Sequence, residues 1–164
     1  MKRLTLALGL MLLAPTLGSC GGAATPADNV QSGSTALGKS DWRAAQTSFE
    51  AALAALAPTD PSYKKAKMGQ VEALIQLDAA RAQSEFLAYA QSAGEGVDSK
   101  DWRNVMTKLT AKGKFAEAIA VLDAGLKSRP QDADIKKMGD AIKVEAEKAG
   151  DANALGALAG LGYL

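Results

Sequence analysis

Few groups in this sequence are equipped for chemistry. Cys20 is the single thiol and there is no histidine, so no internal disulfide can form, and neither a Ser-His-Asp triad nor an imidazole metal ligand is available. Ser62 and Lys65, in "SYKK", have the Ser-x-x-Lys spacing of a lysine-activated acyl serine. The Ser-Asp-Asn and Lys-Thr-Gly elements which that chemistry also needs are not in the sequence. Ser62, directly after Asp60 and Pro61, reads instead as a first-turn helix residue. Residues 112–115, "KGKF", lack the glycines and hydroxyl residue of a phosphate loop. Glu145 and Glu147 are two apart and do not face each other on a helix. The chain is therefore expected to carry no catalytic residue, no metal and no cofactor.

The position of Cys20 gives its thiol a different use. It follows "MKRLTLALGLMLLAPTL", in which Lys2 and Arg3 precede an apolar run from Leu4 to Leu13. That is the pattern of a secretory leader, and the run is shorter than the roughly 20 apolar residues that cross a bilayer core. Leu17, Gly18, Ser19 and Cys20 together resemble the lipobox of bacterial lipoproteins. The resemblance implies a leader over residues 1–19, cleavage before Cys20, a diacylglyceryl group on its sulfur and an acylated amine. Each buried CH₂ adds about 0.8 kcal/mol, so two or more acyl chains, palmitate among them, hold firmly. The resemblance also implies that Gly21, at the second mature position, directs the protein to the outer membrane, facing the periplasm. Residues 20–29 carry no large apolar side chain before Val30 and read as a flexible tether.

Removal of residues 1–19 takes away Lys2 and Arg3 and no acid, which leaves 17 of the 19 basic residues against 18 acidic ones. A mature chain so nearly neutral projects no long-range field toward nucleic acid. The remaining 145 of the 164 residues suit a single domain. Aromatic residues make up only 5%, and alanine is abundant, which favours helices packed through small side chains.

The elements that must position any binding group are helical throughout. "DWRAAQTSFEAALAAL" puts Trp42, Ala45, Phe49, Ala52, Leu53 and Leu56 on one stripe behind Asp41 as N-cap. Asp60 caps and Pro61 opens the next helix, with Ala66, Met68, Val71 and Ile75 on its apolar face. Further helices run through "AARAQSEFLAYAQSAG", "KDWRNVMTKLTAKG", "KFAEAIAVLDAGLKSRP" and "DADIKKMGDAIKVEAEKAG", with breaks at Gly94, Gly113 and Pro130. Trp42 and Trp102 are expected in the core.

Residues 99–132 resemble a tetratricopeptide (TPR) repeat, a helical hairpin of about 34 residues. Trp102, Val105, Met106, Leu109, Ala118, Leu122, Gly125 and Pro130 stand at the signature offsets, with Trp102, Ala118 and Pro130 matching in identity. Ala45, Phe49 and Ala52 repeat the second-helix core, as do Ala82, Phe86 and Tyr89, and Met68 and Gly69 resemble the Leu-Gly pair of the second copy. The copies depart from the pattern in three places: the leading helix around Asp28 to Leu37 is weak, Pro58 comes one residue late, and the second copy has no closing proline. The implied fold is all-α, a short right-handed TPR-like superhelix of about three hairpins over residues 30–149, with a lone capping helix from Asp132 to Ala149. The apolar, glycine-rich tail over 150–164 is expected to pack back through Leu155, Leu158, Leu161, Tyr163 and Leu164.

The resemblance further implies a non-catalytic scaffold that binds a protein or peptide of the envelope in a groove lined by the first helix of each hairpin. Carried onto this sequence, the groove positions are Lys100, Arg103 and Thr107 in the third copy. In the second copy they are Tyr63, Ala66 and Gln70. Lys100 and Arg103 suit an acidic segment or terminal carboxylate. A small-ligand or cell-wall-binding lipoprotein built on an all-α bundle is the alternative reading, and a stack this short can also self-associate into a homo-oligomer.

Overall fold

A computed structural model describes residues 24–163. The leader expected over residues 1–19 and the lipid site at Cys20 lie outside them. The described chain is all-α and repeat-like, with eight α-helices that pack in chain order. They are α1 (Pro26–Gly38), α2 (Trp42–Ala55), α3 (Pro61–Leu77), α4 (Ala79–Ala93), α5 (Ser99–Ala111), α6 (Phe115–Ser128), α7 (Ala133–Ala149) and α8 (Ala152–Gly160).

Local chemistry sets the helix starts. Asp41, Asp60, Asp78, Asp98, Asp132 and Asp151 each accept an amide from the first turn that follows, a cap worth about 1 kcal/mol. α1 has a full capping box: Asp28 N donates to Thr25 Oγ1 at 3.2 Å and Thr25 N donates to Asp28 Oδ2 at 3.0 Å. With Pro26 at the first helical position, this corrects the expected tether, whose last part is helical from residue 26. The same cap makes the leading helix complete, where its composition alone read as weak. Two of the exits use glycine in the left-handed region, Gly113 at φ 66° and Gly150 at φ 69°.

The odd-numbered helices form one layer, α1 against α3, α3 against α5 and α5 against α7. In the other layer α4 packs on α6 and α6 on α8, and Arg81 of α4 reaches Glu50 of α2 at 2.8 Å. Burial exposes the repeat. In the odd helices Ala66, Gly69, Gln70 and Ala73 are buried, as are Trp102, Val105, Met106 and Leu109, 36 positions further on. In the even helices Ala82, Phe86 and Tyr89 correspond to Ala118, Leu122 and Gly125 at the same step, and Ala154 and Leu158 continue it.

The tail therefore does more than fold back. Its helix α8 packs on α7 and α6, with Leu158 fully buried and Leu155, Leu161 and Tyr163 half-buried against the core. α7, expected to stand alone at the end of the stack, is the first member of a fourth helix pair. The core is continuous from Val71 to Leu158, with a smaller cluster of Val30, Ala45, Phe49, Ala52, Ala66 and Ala73 at the N-terminal end. Trp102 is buried at 3% exposure and meets Phe86 edge-on at 4.9 Å. Trp42, expected in the core, is half-buried and belongs to neither cluster.

Candidate functional site

The starts of α5 and α7 are tied together. Asp98 caps α5 in a box with Asp101, and Asp132 caps α7 by accepting from Asp134 N at 3.0 Å and Ile135 N at 3.1 Å. The Ser99 hydroxyl donates to Asp132, and the Arg129 guanidinium donates to the Val97 carbonyl at 2.6 Å. These bonds fix the spacing of two neighbouring helices of the odd layer.

A groove runs between them. At its head Lys100, Arg103, Asn104, Thr107 and Met138 enclose about 420 Å³. Thr107 and Met138 also line the next hollow, of about 500 Å³, together with Thr110, Ala111, Ala141, Val144 and Glu145. The floor is largely apolar, and Val144 is 46% exposed in it. Arg103 lies 3.4 Å from Asp134, whereas Lys100 makes no ion pair among the described residues. The head thus offers a free ammonium and a partly neutralised guanidinium, while Glu145 at the far end is paired with Lys148 at 2.7 Å. Volumes of this order suit a few side chains of a partner or a small ligand.

Three sequence-predicted site residues, Lys100, Arg103 and Thr107, lie together in this groove. The three taken from the second copy do not. Gln70 is 5% exposed and its amide oxygen accepts from Lys67 Nζ at 3.0 Å, so it is not offered to a partner. Ala66 is fully buried. Tyr63 lines a separate hollow beside Tyr89. The cause is register: matching Met68 and Gly69 to the signature pair shifts α3 by one residue, whereas burial aligns Ala66 with Trp102 and Gln70 with Met106. In that alignment Lys64 and Lys67 stand where α5 has Lys100 and Arg103.

Both of those lysines are engaged. Lys64 Nζ sits 2.6 Å from Asp101 and Lys67 Nζ sits 2.5 Å from Glu85. Lys108 meets Glu72 at 2.5 Å toward the other end of the α3–α5 seam. The α3–α5 seam is thus bridged by Lys64 with Asp101 and Lys108 with Glu72. Across the α5–α7 seam the only ion pair among the described residues is Arg103 with Asp134 at its head, and the seam is hollow beyond it. Asn104, Met138, Ala141 and Val144 were not picked out from the sequence. Val144 carried a signal, as an apolar residue out of phase with the buried stripe of Ile135, Gly139, Ile142 and Ala146.

The groove is suited to binding. Among the described residues no three His, Cys, Asp or Glu side chains are grouped to hold a metal ion. Ser62 of the Ser-x-x-Lys motif stands at the start of α3, where its amide donates to Asp60 Oδ1 at 2.7 Å, and Lys65 is exposed. No described helix is long and apolar enough to cross a membrane. No family model, curated protein or solved structure matches this chain.

The ties at the head of the groove make stability sensitive to acid. The Ser99 hydroxyl, and then the Ile135 and Asp134 amides, hold the Asp132 carboxyl below its usual range. The Asp101 amide, with Lys64 behind it, does the same for Asp98. A depressed carboxyl stabilises the fold fully above its unfolded value, near 3.9, and the contribution is lost as pH falls through the lower folded value. The thermal midpoint is therefore expected to fall as pH drops below about 4. Asp132→Asn, which keeps a capping oxygen but does not titrate, should flatten that decline, and an unchanged profile would show that this cap does not contribute.

Proposed function

We propose that this chain is a non-catalytic, lipid-anchored lipoprotein of the bacterial envelope that gathers a protein or peptide partner through the α5–α7 groove. In this reading Cys20 carries the lipid, the anchor lies in the outer membrane and the folded part faces the periplasm. The eight helices are a degenerate TPR-like stack. The observation that carries the reading is the grouping of Lys100, Arg103 and Thr107, chosen from the repeat pattern, on one open seam with an apolar floor. The sequential packing and the 36-residue step of the buried positions support it.

The test is in-cell crosslinking of the tagged full-length protein, with mass spectrometry of what is attached and Cys20→Ser as the control. A small reproducible set of envelope proteins, depleted in the control, is the expected result. Charge reversal at both groove cations, Lys100→Glu with Arg103→Glu, should leave the helical signal and thermal midpoint within experimental error while reducing capture about tenfold or more. A loss of that size is about 1.4 kcal/mol, within the range for truncating a charged contact. Capture that survives the double reversal would remove this groove as the docking site, and capture of the protein's own copies alone would replace the scaffold with a self-assembling one.

A further inference from the structure

A second hollow, away from the groove, is built differently. It lies where α3 begins and α4 ends, encloses about 480 Å³, and is lined by Pro58, Asp60, Pro61, Tyr63, Lys64 and Tyr89 among others. The two tyrosine rings are 6.2 Å apart and inclined at 47°, a packed tilted pair that makes a wedge in the wall of the hollow. Tyr89 is only 8% exposed, yet neither phenol makes a hydrogen bond within the described chain. Both hydroxyls are free to donate and accept, and burial pushes the Tyr89 phenol up from its ordinary value.

The surroundings hold the wedge still. Lys64 Nζ donates to the Gly96 carbonyl at 3.0 Å and pairs with Asp101 at 2.6 Å and Asp98 at 3.5 Å. Ser92 Oγ donates to the Tyr89 carbonyl at 3.0 Å. Pro58 and Pro61 fix the backbone that enters α3. Asp60 Oδ1 is used by the Ser62 amide, and its second oxygen has no partner among the described residues. The lining holds one carboxylate, Asp60, and one ammonium, Lys64, which Asp98 and Asp101 already engage, so the hollow offers no unpaired cation to a phosphate or other anion.

A rigid aromatic wedge with apolar proline faces, unpaired hydroxyls and a spare carboxylate oxygen matches one ligand chemistry well. The C–H face of a pyranose packs against an aromatic ring while its hydroxyls need donors and acceptors at the ring edge. A proline-rich peptide would stack on the rings and its carbonyls would accept from the phenols, but prolines have no N–H to offer the spare Asp60 oxygen, which would be left unanswered at a desolvation cost. We propose that the Tyr63–Tyr89 hollow is a binding site for a neutral saccharide, one or two sugar units deep. The site is independent of the groove and of the partner-gathering function.

The test is a titration of the full-length protein in detergent micelles, followed by two-dimensional NMR. The probes are chitotetraose, cellotetraose and a decaproline peptide. Shifts confined to Tyr63, Tyr89 and Gly96 with at least one tetrasaccharide, and none with decaproline, are expected. Tyr63→Ala should weaken the saccharide about tenfold or more, and Tyr63→Phe, which keeps the stacking face, should recover most of that loss. Because Tyr63 is half-buried at a helix start, the variant's helical signal and melting are recorded alongside. Should Tyr63→Ala fail to fold, Tyr63→Phe and Asp60→Asn carry the test, each expected to weaken binding by about threefold through one lost hydrogen bond. Lys100→Glu should leave the titration unchanged. Absence of shifts with both saccharides, shifts with decaproline alone, or saccharide shifts that persist undiminished in folded variants would each overturn the assignment.

Discussion

Phe49→Ala is expected to unfold the N-terminal end of the stack more readily than any other single truncation there, at a cost of about 3–5 kcal/mol. Phe49 is 1% exposed, and the other fully buried members of its cluster are Val30 and four alanines, with Leu37, Leu53 and Leu56 only partly buried at its edge, so the buried neighbours are too small to fill the space. The ring is clasped between two glycines on adjacent odd helices. A Cβ at Gly33 would lie 2.8 Å from Phe49 Cε1, and one at Gly69 would lie 2.4 Å from Phe49 Cζ. A phenyl ring cannot bend away from one without closing on the other, so Gly69→Ala should itself cost about 1–3 kcal/mol through overpacking. Urea denaturation followed by helical circular dichroism measures both. The double variant Phe49→Leu with Gly69→Ala should be less destabilised than the sum of its parts. Simple additivity would mean that the ring and the glycine do not compete for the same volume.

The second large effect is at the opposite end. Leu158→Ala should cost about 2–5 kcal/mol, the range for emptying a fully buried leucine site, although only six residues of the sequence follow it. Leu158 is completely buried, and it takes in α8 the place that Leu122 takes in α6 and Phe86 in α4. Leu155, half-buried on the same helix, should cost clearly less when cut to alanine. Tyr163 reinforces the docking: its ring lies over Gly139, where a Cβ would come within 2.1 Å of it, and its hydroxyl donates to the Lys136 carbonyl at 2.9 Å. A melting curve for Leu158→Ala that overlays the wild type would mean that α8 is a loosely attached tail rather than a member of the stack.

These two residues also mark how far the sequence could be read. Phe49 and its alanines were legible because helical periodicity and residue size together indicate which face turns inward. Leu158 was legible as a residue that would pack back, but not as part of a helix, because glycine at two positions in residues 152–160, Gly156 and Gly160, lowers helix propensity. Docking on α6 and α7 overrides that weakness, as tertiary burial commonly does. Gln70 shows the reverse failure. A Met-Gly pair resembled the repeat signature strongly enough to set a register, and the polar residue one step on seemed suited to a surface, yet Lys67 and the packing of α3 bury it. A one-residue slip turns a helix by about 100°, enough to exchange a core position for a groove position.

What the sequence by itself determined is the set of local events: the helices, the aspartates that cap them, the glycine and proline breaks, and the small inward faces that require close packing. Each of these follows from interactions within a few residues. Only the tertiary structure decided which seams between helices are closed and which is open. Lys64, which has the helical phase of Lys100, finds Asp101 thirty-seven positions away, Lys108 finds Glu72, and Lys67 finds Glu85, so these cations are consumed as bridges. Lys100 stays free because the acid that α7 brings to the head of the α5–α7 seam, Asp134, pairs with Arg103, and Met138, Ala141 and Val144 line the rest. The Tyr63–Tyr89 wedge likewise exists only because two helix ends meet in space. A binding surface depends on what faces a side chain across a gap, and that is set by the packing of distant segments.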